Sequence, residues 1–376
     1  YPAFLIFWIL NKFIYILFKI FKIKLLTAPL EAIGHQIFDL ECFFYEKNKY
    51  KFKFKPLILT HGKFIANKYL LKYQKKKYSF FEINNKFLCL ILYYQKLFKN
   101  VTFDTSSYVA TRKAAKCYKV LKQNDLSIKL DKEDVLKAEQ ILKNANIEIK
   151  KKLVILHVRD NSFKPFDGET YRSSKIKNFS LSIDYLLKKK YQIIRIGNQG
   201  MTKNPYGNKI IDLSKLQFNE NLQLLQLYLV SKCSFFIGTC SGPYKFATIF
   251  KKPILTVDMA PMSLMFPVAR KAIALPKLYR NIKTKKIINV KDIFDYNFSN
   301  LRLDKEFKAN NIELIDNSPK DILEGVREIE RLAKNKNFVT SILQRNFKKL
   351  FNKDCYAFYA ESNIANSFIN KYKKYL

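Results

Sequence analysis

CSFFIGTCSGPYKFATIFKKPILTV, residues 233–257, reads as a strand, a tight turn, a helix and a second strand. Ser234 to Ile237 are apolar or β-compatible, and Gly238 to Gly242 make the turn. Pro243 sits where a first helical residue belongs, and Pro253 stops the helix before ILTV. A helix N-terminus offers backbone N–H groups with no internal partner and the favourable end of the helix dipole, so the turn is a candidate anion site. Thr239 and Ser241 would add hydroxyl donors, while Gly242 would let a ligand approach the backbone. An ordinary capped helix behind a buried strand has the same letters, because Ser, Thr and Gly are common at such turns.

The chain has 376 residues, enough for two domains with their own cores. A net charge of +38 suggests nucleic acid, but the excess is Lys spread along the whole sequence, and Phe, Ile, Tyr, Asn and Lys together mark an AT-rich genome. Solvated surface, then attraction to anionic lipid or acidic glycan, explain the lysines before nucleic acid does. Against that drift the rare residues carry information. Gly34-His35, His61-Gly62, His157, Gly197, Gly200, Gly238 and Gly242 all follow apolar runs. Arg159, Arg172 and Arg195 stand close together where Lys would be the default, and a planar fork for phosphate or carboxylate is a reason to keep them. Surface ion pairs would also account for each one. Six cysteines without CxxC spacing imply a reducing compartment and mostly core roles.

Residues 3–26, AFLIFWILNKFIYILFKIFKIKLL, place Asn11, Lys12, Lys19 and Lys22 within about a third of a helical wheel and leave the remainder to Phe, Ile, Leu and Trp8, with only Lys24 at the far end off that face. That pattern predicts a helix lying in a membrane interface rather than crossing it. A buried or docking helix is the alternative. No basic run precedes the apolar stretch and no A-x-A site follows it, against a signal peptide. The sequence starts at Tyr1, which suggests a missing upstream piece. Beyond Leu25, a strand ending at Gly34-His35 and another ending at His61-Gly62, each followed by a helix, predict a small α/β domain. Apolar runs at Phe87 to Tyr94 and Val101 to Phe103 follow. The acidic-led stretch DKEDVLKAEQILKNANIEIK reads as a linker helix over 131–150. Strands and helices then alternate, predicting a doubly wound parallel sheet. The expected division is 1–26 interfacial helix, 27–130 first α/β domain, 131–150 linker helix, 151–335 second α/β domain, and 336–376 helices packing back on the first domain.

Ligands of open parallel sheets sit beyond the carboxyl ends of the strands, near a topological switch point. The strand ends of the second domain carry His157-Val-Arg159-Asp160, Arg195-Ile-Gly197-Asn198 and Thr239-Cys-Ser241-Gly242-Pro243. Together they suit a diphosphate. No G-x-G-x-x-G and no P-loop pattern is present, and no D-x-D follows a strand, so neutralisation by Arg, His and backbone donors without a metal or cofactor is expected.

HVRD, YRSSKIKNFSLSIDYLL, RIGN, FFIGTCSGP and NSPKDILEGVREIERL, with AIGHQ and SNIANSFI at the two ends, resemble a family of bacterial glycosyltransferases of surface polysaccharide synthesis. The likeness runs from about Leu26 to the C-terminus. FIGTCSGP is similar to the donor-site turn of heptosyltransferases, and HVRD to the H-x-R motif of fucosyltransferases. The chain departs from the family at Ser173-Ser174, where Asn-Ala is more usual, and at Val257-Asp258-Met259, where Thr-Asn is. The resemblance implies an α/β fold of two facing Rossmann-like doubly wound domains, the GT-B arrangement, with a C-terminal helical crossover. It implies transfer from a nucleotide sugar to a glycan or lipid-linked acceptor, peripheral to the inner face of the bacterial inner membrane. On that reading His157, Arg159, Arg172, Arg195, Gly197, Asn198 and the turn Thr239, Ser241, Gly242 and Pro243 hold the donor, with Arg195 near base or ribose. The base that deprotonates the acceptor is His35 first, His61 second and Asp39 third, with Asp160 a further catalytic candidate. A non-catalytic basic protein that binds glycan or the membrane surface through the same fold is the alternative reading.

Overall fold

The computed structural model describes residues 2–27, 29–105, 119–122, 125–162, 166–215, 219–263, 267–269, 271–335, 339–351 and 356–375. They fall into two compact units, Tyr1–Leu121 and Lys122–Leu376.

The first unit is built on four parallel strands, β1 (Ile23–Leu26), β2 (Lys55–Leu59), β3 (Phe81–Ile83) and β4 (Thr102–Phe103), in the order β3-β2-β1-β4. Leu25, Leu57 and Leu59 from the strands meet Phe18 of the Pro2–Ile20 helix and Cys89 and Leu92 of the Lys86–Tyr93 helix in one core. The apolar run at Phe87 is thus helical. Asn85 starts it, its side-chain oxygen accepting from the N–H of Leu88 at 3.1 Å. Two expectations change. β1 stops at Leu26, and Gly34 and His35 lie in the first turn of the Ile33–Lys49 helix rather than at a strand end. Asn11 is not on an outer polar face but buried, its side-chain oxygen accepting from Gln95 Nε2 at 2.9 Å.

The second unit holds seven parallel strands: β5 (Leu153–His157), β6 (Gln192–Arg195), β7 (Ile211–Asp212), β8 (Phe235–Thr239), β9 (Ile254–Met259), β10 (Ala272–Pro276) and β13 (Asn363–Ile364). Their order is β13-β10-β9-β8-β5-β6-β7. Every residue of β5, β8, β9 and β10 is buried, the burial that near-continuous apolar runs such as LVIL and FFIG require of a sheet covered on both faces. Both units are therefore α/β, with the strand order of doubly wound, Rossmann-like sheets. The apolar run IELI does not join this sheet: it is β12 (Ile312–Ile315) and pairs antiparallel with β11 (Leu278–Asn281) in a separate ribbon.

The two remaining departures concern segments, not strands. The stretch expected to link the domains forms a helix over Lys132–Asn144 that belongs to the second unit, where Tyr228 donates to Glu139 Oε1 at 2.9 Å. The C-terminal segment expected to pack on the first domain adds β13 beside β10, and Lys371 of the Asn366–Tyr372 helix pairs with Asp321 of the Pro319–Lys334 helix at 2.6 Å. Among the described residues no helix is long and apolar enough to cross a membrane. Of the cysteines, Cys89, Cys233 and Cys240 are buried thiols, while Cys42 is disulfide-bonded, which does not fit the expected reducing compartment. Cys117 and Cys355 lie outside the described residues.

The Pro319–Lys334 helix lies close on this sheet because Gly325 has no side chain. A Cβ there would come within 2.8 Å of Leu275 Cδ1 and 3.2 Å of Leu255 Cδ1. Gly325→Val is expected to lower the unfolding free energy by about 1–3 kcal/mol through overpacking, read from urea denaturation. An unchanged midpoint would mean that the helix can lift without cost.

Candidate functional site

The strand order of the second unit reverses between β5 and β8, so the chain leaves these neighbouring strands toward opposite faces of the sheet. Their ladder ends at His157 opposite Gly238. One residue further on, Thr239 Oγ1 accepts the Arg159 N–H at 2.8 Å and ties the two departing turns together. Thr239 is fully buried, so its hydroxyl shapes the turn rather than facing a ligand. Beyond it, Cys240 is buried and its thiol is pushed up to about 11 by burial, which keeps it protonated and unreactive at neutral pH. Ser241, Gly242 and Pro243 come to the partly exposed surface before the short Tyr244–Ile249 helix. Among the described residues, Ser241 Oγ has no hydrogen-bond partner.

The arginines are held by carboxylates of the chain. Arg159 Nη2 donates to Asp167 Oδ2 at 2.8 Å. Arg172 pairs with Glu169 through Nη1 and donates from Nε to the Cys240 carbonyl at 3.1 Å, pinning the Thr170–Arg172 3-10 turn to the Ser241 turn. Arg195 is 1% exposed and donates from Nη1 to Asp212 Oδ2 at 3.0 Å and to the Thr202 carbonyl at 2.8 Å. Its assignment to base or ribose is accordingly dropped, because the guanidinium is spent inside the fold. His157 is also buried, donating from Nδ1 to the Ile196 carbonyl at 3.1 Å. Burial, reinforced by Arg195 and Arg159, holds it down at about 4, so it is neutral at pH 7. Asp160 works in the same frame. Burial raises its pKa, but hydrogen bonds from Ser162 and from the Thr202 N–H outweigh that and leave it lowered, an ionised brace between two loops. Gly197 is covered by Met201, whose Sδ would lie 1.9 Å from an added Cβ, and Asn198 donates to the Gln199 carbonyl.

Behind the turn lies a buried polar group that the sequence did not assign. Asp258, at the end of β9, has φ +53, a left-handed conformation uncommon outside Gly. Its carboxylate accepts from Ser174 Oγ and from the Asn317 N–H, both at 2.6 Å, and its own N–H donates to Asn317 Oδ1 at 2.8 Å. Lys277 donates to the Ser173 carbonyl at 3.0 Å and to Asp316 at 2.7 Å. The two places where the chain departs from the family it resembles, Ser173-Ser174 and Asp258, are therefore one contact.

In the first unit, His35 Nδ1 lies 2.8 Å from Asp39 Oδ2, one helical turn on. Asp39 is fully buried while His35 is partly exposed, so the carboxylate fixes Nδ1–H and leaves Nε2 as the basic nitrogen. Gln36 next to it is tied to Asn67 and Gln74 through three bonds of 2.8 Å, which anchor this end of the helix. His61 Nδ1 instead donates to the Asn84 carbonyl at 3.0 Å, pinning a loop.

Among solved structures, the chain is similar to the ADP-heptose LPS heptosyltransferase II of E. coli, at 10% identity and a TM-score of 0.46, over 83% of this chain and 100% of that one. It is similar to a glycosyl transferase family 9 protein of Veillonella parvula at 14% identity and 0.47, over 82% and 97%. The iron-containing dodecameric glycosyltransferase TibC of enterotoxigenic E. coli matches at 15% and 0.40, over 67% and 63%. No family model and no curated protein matches the chain. These are likenesses of fold at low overlap, and none of them says what this chain binds. TibC is iron-containing, which contradicts the expectation that no metal takes part, and that expectation is withdrawn.

Two measurements probe the site. Thr239→Val removes the acceptor for a buried N–H and should cost about 1–3 kcal/mol in chemical denaturation, although the shape is kept. Burial raises Asp258 to about 6, with Asp316 adding to the shift and Lys277 opposing it. Its folded value lies above the unfolded one, so its contribution to stability is full below about pH 4 and is lost as pH rises through about 6. Asp258→Asn should remove that slope, worth on the order of 2–3 kcal/mol. A stability difference between the two proteins that stays flat over this range contradicts it.

Proposed function

We propose that the chain is a glycosyltransferase that moves a sugar from a nucleotide-sugar donor to a glycan or lipid-linked acceptor in bacterial surface-polysaccharide synthesis, at the inner face of the membrane. The observation that carries the reading is the Thr239–Pro243 turn, which stands at the switch point of a parallel sheet and presents Gly242 and a Ser241 hydroxyl, unpartnered among the described residues, at the surface. A diphosphate leaving group gains negative charge as the glycosidic bond breaks, and fixed N–H and O–H donors aimed at it stabilise that charge without reorganising. Ser241, the N–H groups of the turn and Arg172, already bonded to the Cys240 carbonyl, supply this role. Arg159, His157, Asp160 and Thr239 hold the turn in shape.

His35 acts as the base. Its Nε2 takes the proton of the acceptor hydroxyl, and the buried Asp39 carboxylate stabilises the imidazolium that forms. Asp39, ranked third as the base itself, is thereby a positioning residue.

The test is thermal shift with nucleoside diphosphates, followed by release of the diphosphate from whichever nucleotide sugar stabilises most. Wild type should be stabilised, and Gly242→Leu, which fills the turn, should lose the shift. His35→Ala should keep the shift and lose turnover by about 10²- to 10⁴-fold. No stabilisation by any nucleoside diphosphate would leave the non-catalytic glycan- or membrane-binding reading in its place.

A further inference from the structure

We propose that the first unit docks on an anionic lipid bilayer through a face made by two helices, Pro2–Ile20 and Lys86–Tyr93, together with the 3-10 turn Tyr94–Leu97 that continues the second. The inference deepens the membrane placement proposed above, and its test does not use turnover. A surface helix normally turns polar residues out and apolar ones in. The Pro2–Ile20 helix buries Phe18 and turns Lys12 and Lys19 out, but it also leaves a wide apolar surface in the open. Asn11 is 5% exposed and bonded to Gln95, whereas Phe4, Leu5, Ile6, Ile9, Phe13 and Ile16 are each more than half exposed. The Lys86–Tyr93 helix buries Cys89, Ile91 and Leu92 and leaves Phe87, Leu88 and Leu90 in the open, with Leu97 beyond them. Phe7 and Tyr94 meet edge to face at 4.8 Å, so the two exposed surfaces adjoin. A contiguous apolar area of this kind marks an interaction site.

Charge identifies the occupant. The two helices and the turn contribute Lys12, Lys19, Lys86 and Lys96, all exposed, and contain no Asp or Glu. Four cations without a carboxylate repel a second copy of the same face and attract anionic headgroups. Aromatic rings sit among the lysines: Lys12 Nζ is 5.5 Å from the Trp8 ring and Lys96 Nζ 3.6 Å from that of Tyr93. Apolar side chains flanked by Lys and amphipathic rings are the pattern of a surface that enters the headgroup region without crossing the bilayer.

Trp8 is the only tryptophan in the chain and is 50% exposed, so the protein carries its own probe. With the full chain, Trp8 emission should shift to the blue and the protein should co-sediment on vesicles of phosphatidylcholine plus phosphatidylglycerol. It should do so much less on phosphatidylcholine alone, and less as salt rises. Leu90→Glu, an exposed position on the other helix, should weaken vesicle binding about tenfold or more while leaving the melting curve unchanged. Three results overturn the proposal: no blue shift on anionic vesicles, vesicle binding by Leu90→Glu equal to wild type, or a solution dimer that Leu90→Glu dissociates and that ignores vesicles.

Discussion

A parallel sheet whose strand order reverses must let two neighbouring strands part, and at that point backbone groups lose their ladder partners. Here the bond from the Arg159 N–H to Thr239 Oγ1 makes good the loss. The rest of the site hangs from it in sequence. The Arg159 carbonyl accepts the Ser174 N–H, Ser174 Oγ reaches Asp258 at the end of β9, and Asp258 holds Asn317, whose side chain returns to the Pro276 carbonyl at the end of β10. One continuous line of hydrogen bonds thus joins the ends of four strands, and the Ser241 turn stands on it.

Much of the sheet was legible in the sequence because strands covered on both faces must be apolar throughout, and LVIL and FFIG announce that directly. The scarcity of Arg pointed to a need for planar forks. For Arg159 and Arg195 the need is met inside the fold by Asp167 and Asp212, pairings that spacing alone does not reveal, whereas Glu169 is only three residues from Arg172. The Asp258 group was equally hidden. Its members lie 84 and 59 residues apart, and only the two departures from the family pattern hinted that they belonged together.

The first unit was harder to read for a different reason. Apolar letters at Phe87 and around Gly34 do not distinguish a strand from a helix over so short a run, and the decision fell to caps and tertiary bonds such as Asn85 to Leu88 and Gln36 to Asn67. Yet the i,i+4 spacing of His35 and Asp39 needed only a helix to make them neighbours, and the helix is there.

β13 closes the main sheet from the far end of the chain. Until residues 363–364 are made, β10 has a bare outer edge, and its AIALP sequence offers unpaired backbone with nothing charged to discourage a neighbour. The Ala365 N–H also bonds the Ala274 carbonyl, and Gln344 holds the Ile364 carbonyl. During synthesis the second unit therefore carries an uncovered sheet edge for as long as the ribosome needs to travel about ninety residues beyond β10. A chain released within that interval would present a growing point for other unfinished copies of itself, which makes the yield of folded protein depend on how quickly and how completely the last segment is translated.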